Sequence, residues 1–524
     1  MSVLRRESEQ NIIYAHPLQS LDVVLSFPHK DHILKGGQSR EDQRSQDVFY
    51  HPDMDREAVD CLLAPKAFAG VTRYKAQGCE RDSRIEAEDN LVIKGDNLPV
   101  LASLQSSYEG RVKMIYWDIP YNTGSDSFGY NDRFDQTSWL VFMKNRVEAA
   151  LPLLDPDKGV FLIQCSFHGY PYLKVLLDEI IGNYAMTFHV LVRHPDRTLT
   201  GDKSFNDVIE YILVYAASPN FRMPKKRVEK TVDDYRWIIR ELSEGEPVDF
   251  DGRKGRIFLP DQYEMVRVEP GADHLKVVSV RGSLREKVSS GRFYVKYLEP
   301  LETVYPAKTL FKVEGIGADQ YDYRYFYLPP EGNRNGAYLQ GMPVASPFTY
   351  KPYPNFLDFV RSYNTVSSEG EVSFRNGKKP EALLTFLMDL FTEEGDLVLD
   401  AFAGSGTTGA VALKMGRRFI LCEQMDYIKD VTVKRLSDLL PGLTGKKYRG
   451  LTDKECQGFA GKECQSFPDQ PHMSGRENMQ PPSFVYMELA RAEGEYINYN
   501  RMRTEGTSLE ETDIAATESF YRKN

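Results

Sequence analysis

Long apolar runs are absent from this 524-residue sequence. Nowhere do eighteen or more apolar residues follow one another, and Met1 to Gln10 is polar and charged, so neither a membrane-spanning helix nor a secretory leader is expected. Cysteine is scarce: six occur, four of them scattered (Cys61, Cys79, Cys165, Cys422), which offers no disulfide framework and suits a reducing cytoplasm. The other two stand in Lys454-Glu455-Cys456-Gln457 and its echo Lys462-Glu463-Cys464-Gln465, near His472; that spacing fits no common zinc module, and no metal is expected. Excess positive charge is missing too. With 66 Lys and Arg against 76 Asp and Glu, the net charge of −10 argues against a uniformly basic coat and leaves a local positive cleft as the route to a polyanion. What is present, 41% hydrophobic and 27% charged residues, is ordinary for a soluble chain long enough for two or three domains.

The sharpest local signal is Met114-Ile115-Tyr116-Trp117-Asp118-Ile119-Pro120-Tyr121-Asn122-Thr123-Gly124. Val112 to Trp117 is rich in β-branched and aromatic residues, while Pro120 and Gly124 forbid the strand to continue, so a buried strand should hand over to a loop at the carboxyl edge of a sheet. There Asp118 can accept one N–H of an exocyclic amino group, the Ile119 carbonyl the other, and Tyr121 can stack on the ring. The plainer reading is a strand that ends at a turn with local hydrogen bonds. Asp118-Ile119-Pro120-Tyr121 resembles the Asp-Pro-Pro-Tyr motif of amino-methylating DNA methyltransferases, and Asn122-Thr123-Gly124 matches the extended form in modification subunits of type III restriction systems. Ile119 departs from the family's first proline: a carbonyl remains, but the fixed φ is lost.

Residues 1 to 89 read as an arm of short helices. Leu34-Lys35-Gly36-Gly37 and Leu62 to Phe68 within it are similar to the leader of the same subunits. Next, Leu91-Val92-Ile93 reads as a strand and Lys94-Gly95-Asp96-Asn97 as a turn. Asp96 is placed either to accept from a nucleotide amino group or to cap the helix that follows. Thr137 to Leu153 has helical spacing (Leu140, Met143, Val147, Leu151), Gly159 to Cys165 is a buried strand, Tyr170 to Ile181 a helix, and Ala185–Val192 and Asp207–Ala216 are strands. This alternation implies a mostly parallel sheet with helices on its faces. Tyr130 to Phe134 has the make-up of a substrate-contacting loop or of a solvated one. Between Pro219 and Pro354 the alternation stops. Basic clusters (Lys225-Lys226-Arg227, Arg253-Lys254, Arg281 to Lys287) mix with Tyr321, Tyr323, Tyr325, Phe326 and Tyr327, as in a nucleic-acid reader or in a β-rich insertion with a tyrosine core.

A second signal follows a helix that starts near Lys379: Leu397-Val398-Leu399 leads into Asp400-Ala401-Phe402-Ala403-Gly404-Ser405-Gly406-Thr407-Thr408-Gly409, and the next strand ends at Glu423. The glycines allow a tight turn and close approach by a ligand. Gly404, Gly406 and Gly409 satisfy the dinucleotide fingerprint, so a dehydrogenase must be weighed. The segment also resembles the Phe-x-Gly-x-Gly motif that binds S-adenosylmethionine in methyltransferases, and a dinucleotide fold usually opens with its glycine turn.

The order of catalytic loop, recognition region and cofactor turn is similar to the β class of amino-methyltransferases. The resemblance implies an α/β fold: a circularly permuted Rossmann-like class I methyltransferase sheet with an inserted target-recognition domain and a small C-terminal helical segment. Its implied divisions are an arm (1–89), a catalytic half (90–218), a target-recognition domain (219–354), a cofactor half (355–445) and a linker with a terminal helix near Phe484 to Ala490 (446–524). It implies methyl transfer from S-adenosylmethionine to N6 of adenine in double-stranded DNA, with N4 of cytosine or a non-catalytic homologue as alternatives. Catalysis would rest on Asp118, Ile119, Pro120 and Tyr121. Cofactor binding would rest on Asp96, Lys379, Pro380, Asp400, Phe402, Gly404, Gly406, Thr407 and Glu423. A homodimer and a restriction subunit as partner are implied as well.

Overall fold

In the computed structural model, Met114–Asp118 is a strand with its first four residues buried, and Leu397–Asp400 runs parallel beside it, Val398 opposite Met114. The structure describes residues 24–37, 39, 47–81, 84–124, 131–196, 206–285, 288–317, 319–333, 335–344, 348–374, 377–443 and 482–492, with the short strands Leu4–Glu7, Asn11–Tyr14 and Glu495–Tyr496. These two neighbours sit inside an eleven-stranded sheet. Its order is Phe356–Asp358, Tyr184–Leu191, Ile209–Ala216, Val160–Cys165, Met114–Asp118, Leu397–Asp400, Arg418–Glu423, Leu91–Lys94, Phe484–Leu489, Phe68–Lys75, Gly78–Arg81. From Val160–Cys165 to Phe484–Leu489 every pairing is parallel, so Asp118, Asp400, Glu423 and the turn after Lys94 share one sheet edge. Parallel strands are covered on both faces, and Val160–Cys165 has all six residues buried, apolar but for Gln164.

The helix Gln136–Ala150 starts at Asp135, whose carboxylate accepts from Thr137 N at 3.0 Å. It buries Trp139, Phe142, Met143 and Val147 in the same core as Trp117 and Ile119. The Trp139 indole donates to the Pro120 carbonyl at 2.9 Å, which fixes the loop after the Asp118 strand from below. No helix among the described residues is long and apolar enough to cross a membrane.

Residues 225–353 form a second compact unit, apart from the unit made by 1–224 and 354–524. Its six-stranded antiparallel sheet runs Glu246–Phe250, Arg253–Phe258, Leu310–Glu314, Tyr323–Tyr327, Ala337–Gln340, Lys276–Ser279. Tyr325 is buried in a cluster with Phe258, Leu275, Leu310 and Leu339, and Tyr321, Tyr323 and Tyr327 pack against it. The Tyr321 hydroxyl donates to the Asp273 carbonyl and that of Tyr325 to Glu241. Tyr325 is therefore part of the core of this unit, and Tyr321, Tyr323 and Tyr327 flank it half-buried.

Two expectations are overturned. Among the described residues up to 89 there is one helix, Arg56–Leu63, among strands, and the hairpin Phe68–Lys75/Gly78–Arg81 lies in the main sheet, so the described part is not an arm of short helices. The expected helix at Phe484 to Ala490 is also not found. Phe484–Leu489 is a strand, parallel to Leu91–Lys94 and antiparallel to Phe68–Lys75. A short apolar run fits either state by periodicity, and here the open place between two strands decides. Cys456, Cys464 and His472 lie outside the described residues.

Candidate active site

The loop after Asp118 turns sharply: Asn122 has φ 55° and Gly124 φ 74°. The turn is clamped by Asp132, whose carboxylate accepts from Asn122 N at 2.8 Å and Thr123 N at 3.1 Å, while Asn122 Oδ1 accepts from Phe134 N at 2.8 Å. Residues 131–134 thus act as a brace for the motif, and Asn131 Nδ2 donates to the Gly37 carbonyl of the arm at 3.0 Å.

At the centre one ammonium is shared by two carboxylates. Lys379 Nζ donates to Tyr121 Oη at 2.9 Å and to Glu210 Oε2 at 3.1 Å, and it forms an ion pair with Asp118 Oδ1 at 3.1 Å. Glu210 Oε2 also accepts from Tyr121 Oη at 2.8 Å and Gln164 Nε2 at 2.6 Å. Gln164 in turn accepts from Tyr116 Oη at 2.6 Å and donates to Tyr363 Oη at 3.1 Å. Burial pushes Asp118 up to about 6, the Lys379 charge holds it down, and Glu210 pushes it up again. Glu210, with hydrogen-bond donors around it and Lys379 beside it, is held below the usual carboxylate range in spite of burial. When the pair takes up a proton, it therefore goes to Asp118. The Asp118 side chain keeps 19% of its surface accessible.

Glu210 is the residue that motif reasoning missed. It lies on Ile209–Ala216, two strands from Met114–Asp118, and only the sheet order brings it to Tyr121. Lys379, expected at the cofactor, has its ammonium in this cluster, while its carbonyl accepts the Thr407 hydroxyl at 3.1 Å. It therefore joins the two loops. Pro380, with φ −65°, opens the helix Glu381–Phe391 that holds it there.

At the second loop Asp400 accepts from Phe402 N at 2.9 Å and Thr408 Oγ1 at 2.5 Å; burial pushes it up to about 7. Glu423 accepts from Gly404 N at 3.0 Å, Met425 N at 3.0 Å and Tyr427 Oη at 2.9 Å, and burial raises it as well. Gly404 and Gly406 have φ 51° and 74°. A Cβ on Gly404 would meet nothing nearer than Phe374 at 3.8 Å, so this residue borders open space, with the Phe374 and Tyr427 rings 5.2 Å apart beside it. A Cβ on Gly406 would strike the Thr432 side chain at 2.8 Å; Gly406 is needed for packing and backbone shape, not to clear room for a ligand. Phe402 packs into the core against Trp117 and Phe142. Thr407 also accepts from the buried Arg435 at 2.8 Å, another residue that the motif did not reveal.

Asp96 caps the helix Asn97–Tyr108 through Leu98 N at 3.0 Å and pairs with Arg146 at 3.1 Å. Asn97 Nδ2 donates to the Ala401 carbonyl at 3.0 Å, which ties this turn to the glycine loop. Among the described residues no group of three or more His, Cys, Asp or Glu is arranged to hold a metal.

An acid at an open sheet edge beside a glycine turn is shared by many enzymes; comparison with known proteins narrows it. The chain is 30% identical to the probable type III restriction-modification enzyme HindVI Mod subunit of Haemophilus influenzae, over 81% of this chain and 69% of that protein. It is 28% identical to the type III restriction-modification enzyme StyLTI Mod subunit of Salmonella typhimurium, over 66% of this chain and 54% of that protein. Against the EcoPI Mod subunit of Escherichia phage P1 it is 25% identical, over 66% of this chain and 58% of that protein. Residues 112–434, which span both loops and the unit between them, match the family described as DNA methylase, and the chain belongs to that family.

Proposed function

We propose that the chain is a site-specific DNA methyltransferase that moves a methyl group from S-adenosylmethionine to N6 of adenine, as the modification component of a restriction-modification system. The observation that carries this reading is the partly exposed side chain of Asp118, its buried Oδ1 paired at 3.1 Å with the Lys379 ammonium, at the same sheet edge as a glycine turn that opens outward at Gly404. The turn fits the cofactor: Gly404 leaves room for close approach, Phe374 and Tyr427 offer ring surfaces, and Glu423 lies at the strand end where ribose hydroxyls are gripped in nucleotide folds. When bound, S-adenosylmethionine supplies an electrophilic methyl group.

An adenine amino nitrogen is a weak nucleophile because its lone pair is delocalised into the ring. Asp118 accepts one of its N–H bonds and the Ile119 carbonyl the other, which favours a pyramidal nitrogen with its lone pair free for in-line attack. Lys379 keeps Asp118 ionised at neutral pH despite burial. The base must leave the duplex to arrive here, and Tyr121, pinned at its hydroxyl by Glu210 and Lys379, is the ring on which it rests. We assign choice of target sequence to the unit 225–353, because residues that fit every adenine alike cannot read its neighbours. A circularly permuted order of the two halves, a homodimer, and a restriction subunit as partner belong to the same reading.

The test is sequencing of modified bases in DNA from a host that expresses the chain, with Asp118→Ala as control. N6-methyladenine at one recurring sequence, lost in the control, is expected. N4-methylcytosine would replace the base assignment, and unmodified DNA alongside retained cofactor binding would mark a non-catalytic homologue.

A further inference from the structure

The first and last strands of the 225–353 unit, Lys225–Glu229 and Phe348–Pro352, pair with each other as an isolated two-stranded antiparallel ribbon. Four of its ten residues are cationic, Lys225, Lys226, Arg227 and Lys351, against the single acid Glu229. In a chain of net charge −10 this is a local inversion of sign. The register sharpens the point. Lys226 stands directly opposite Lys351, so two ammonium groups occupy one cross-strand pair, an arrangement that costs stability. Among the described residues no carboxylate lies within ion-pair distance of Lys225, Lys226 or Lys351. On the other face Arg227 lies 3.4 Å over the Phe348 ring with its Nε unbonded, and Tyr350, opposite Arg227 in the register, is 62% exposed.

A local rule broken without an internal remedy marks a surface kept for something outside the chain. The missing partner must be anionic, repeated at close spacing and met at a ribbon on which Lys225, Tyr350 and Lys351 are exposed and Lys226 and Arg227 half-exposed. We infer that this ribbon is a clamp for the phosphate backbone of duplex DNA, with Lys226 and Lys351 straddling phosphates on one face and Lys225, Arg227 and Tyr350 on the other. The inference rests on the proposed action on DNA and adds where the backbone is held. Two paired strands fit the dimensions of a DNA groove and can follow its wall. The contacts position the duplex and carry no sequence information.

The test is duplex binding by the full chain across a salt series, for wild type and for the double variant Lys226→Gln/Lys351→Gln. The slope of log Kobs against log salt should become shallower by about 0.9 for each phosphate that is no longer neutralised, so by about 1.8. The methylated sequence should not change. The melting temperature without DNA should equal or exceed that of wild type, because a like-charge pair has been removed, which separates the effect from a folding defect. An unchanged slope overturns the clamp. A changed recognition sequence also overturns it, since the ribbon would then read bases. If wild type itself binds no duplex at any salt, the action on DNA fails first and the clamp falls with it.

Discussion

Asp118 on one side and Asp400 and Glu423 on the other stand in equivalent places, each ending a parallel strand at the same sheet edge, yet their surroundings differ in kind. Asp400 and Glu423 accept from backbone N–H groups and hydroxyls of the two adjoining loops that follow their strands. Asp118 has no backbone donor among its described partners; its Oδ1 is paired at 3.1 Å with an ammonium that Glu210 shares. An acid whose oxygens are taken by backbone N–H groups fixes a shape; an acid held by one shared ammonium, with part of its side chain still accessible, is available to a ligand. Position alone does not separate reagent from brace, and the donor set does.

The largest break in this contrast comes from Asp118→Ala. It should lower methyl transfer by about 10²–10⁴-fold, the range for losing a group that acts on the reacting centre, with cofactor affinity near wild type by calorimetry. Wild-type incorporation of labelled methyl groups would refute the role. Next is Lys379→Met, which keeps the side-chain length but leaves Asp118 and Glu210 without their shared cation. Unpairing buried charge should cost about 3–5 kcal/mol in denaturant unfolding and leave Asp118 protonated at neutral pH, so activity should fall with stability.

The braces should respond to pH through stability rather than rate. Asp400 has a folded pKa of about 7, above the ordinary 3.8, so its contribution is full below about 4 and is lost as pH rises through 7. Asp400→Asn should therefore narrow the difference in unfolding free energy between pH 5 and pH 8 by about 3 kcal/mol, the two pH units from 5 to 7 over which the folded form alone holds the proton. An unchanged difference would place the titration elsewhere.

Asp118 should show its pKa in the rate. Transfer needs the carboxylate, so kcat/KM should fall about tenfold per pH unit below about 6. Glu210→Gln keeps a similar shape while removing the charge that raises Asp118, so the acid limb should move to lower pH. A limb that stays near 6 would mean that the two carboxylates do not share Lys379.

The contrast also shows what could be read from the sequence alone. Both loops were legible because apolar runs that stop at Pro120 or at Gly404 and Gly406 carry their structure locally. Glu210 was not: its neighbours Ile209 and Tyr211 are those of any strand, and its meeting with Tyr121 depends on Ile209–Ala216 lying beside Val160–Cys165. The same holds for Phe484–Leu489, whose strand state depends on Leu91–Lys94 and Phe68–Lys75, some four hundred residues earlier. Tyr323, Tyr325 and Tyr327 alternate as a strand should, but only the sheet showed that they feed a core. The Lys226–Lys351 pair is likewise a matter of register.

The smallest expected effect tests the brace directly. Tyr427 donates its hydroxyl to Glu423 Oε2, the oxygen that also holds Gly404 N, and its ring faces Phe374. Tyr427→Phe removes one hydrogen bond to a charged group while the ring and both backbone bonds of Glu423 remain. Stability should drop by about 1 kcal/mol, because the hydroxyl is part-buried and water can replace it at the carboxylate. Cofactor affinity should change by only a few fold, since the turn at Gly404 keeps its acceptor. Calorimetry that shows a loss of a hundredfold or more would mean that the hydroxyl itself meets the ligand. Tyr427 would then pass from the bracing side of the comparison to the side of Asp118.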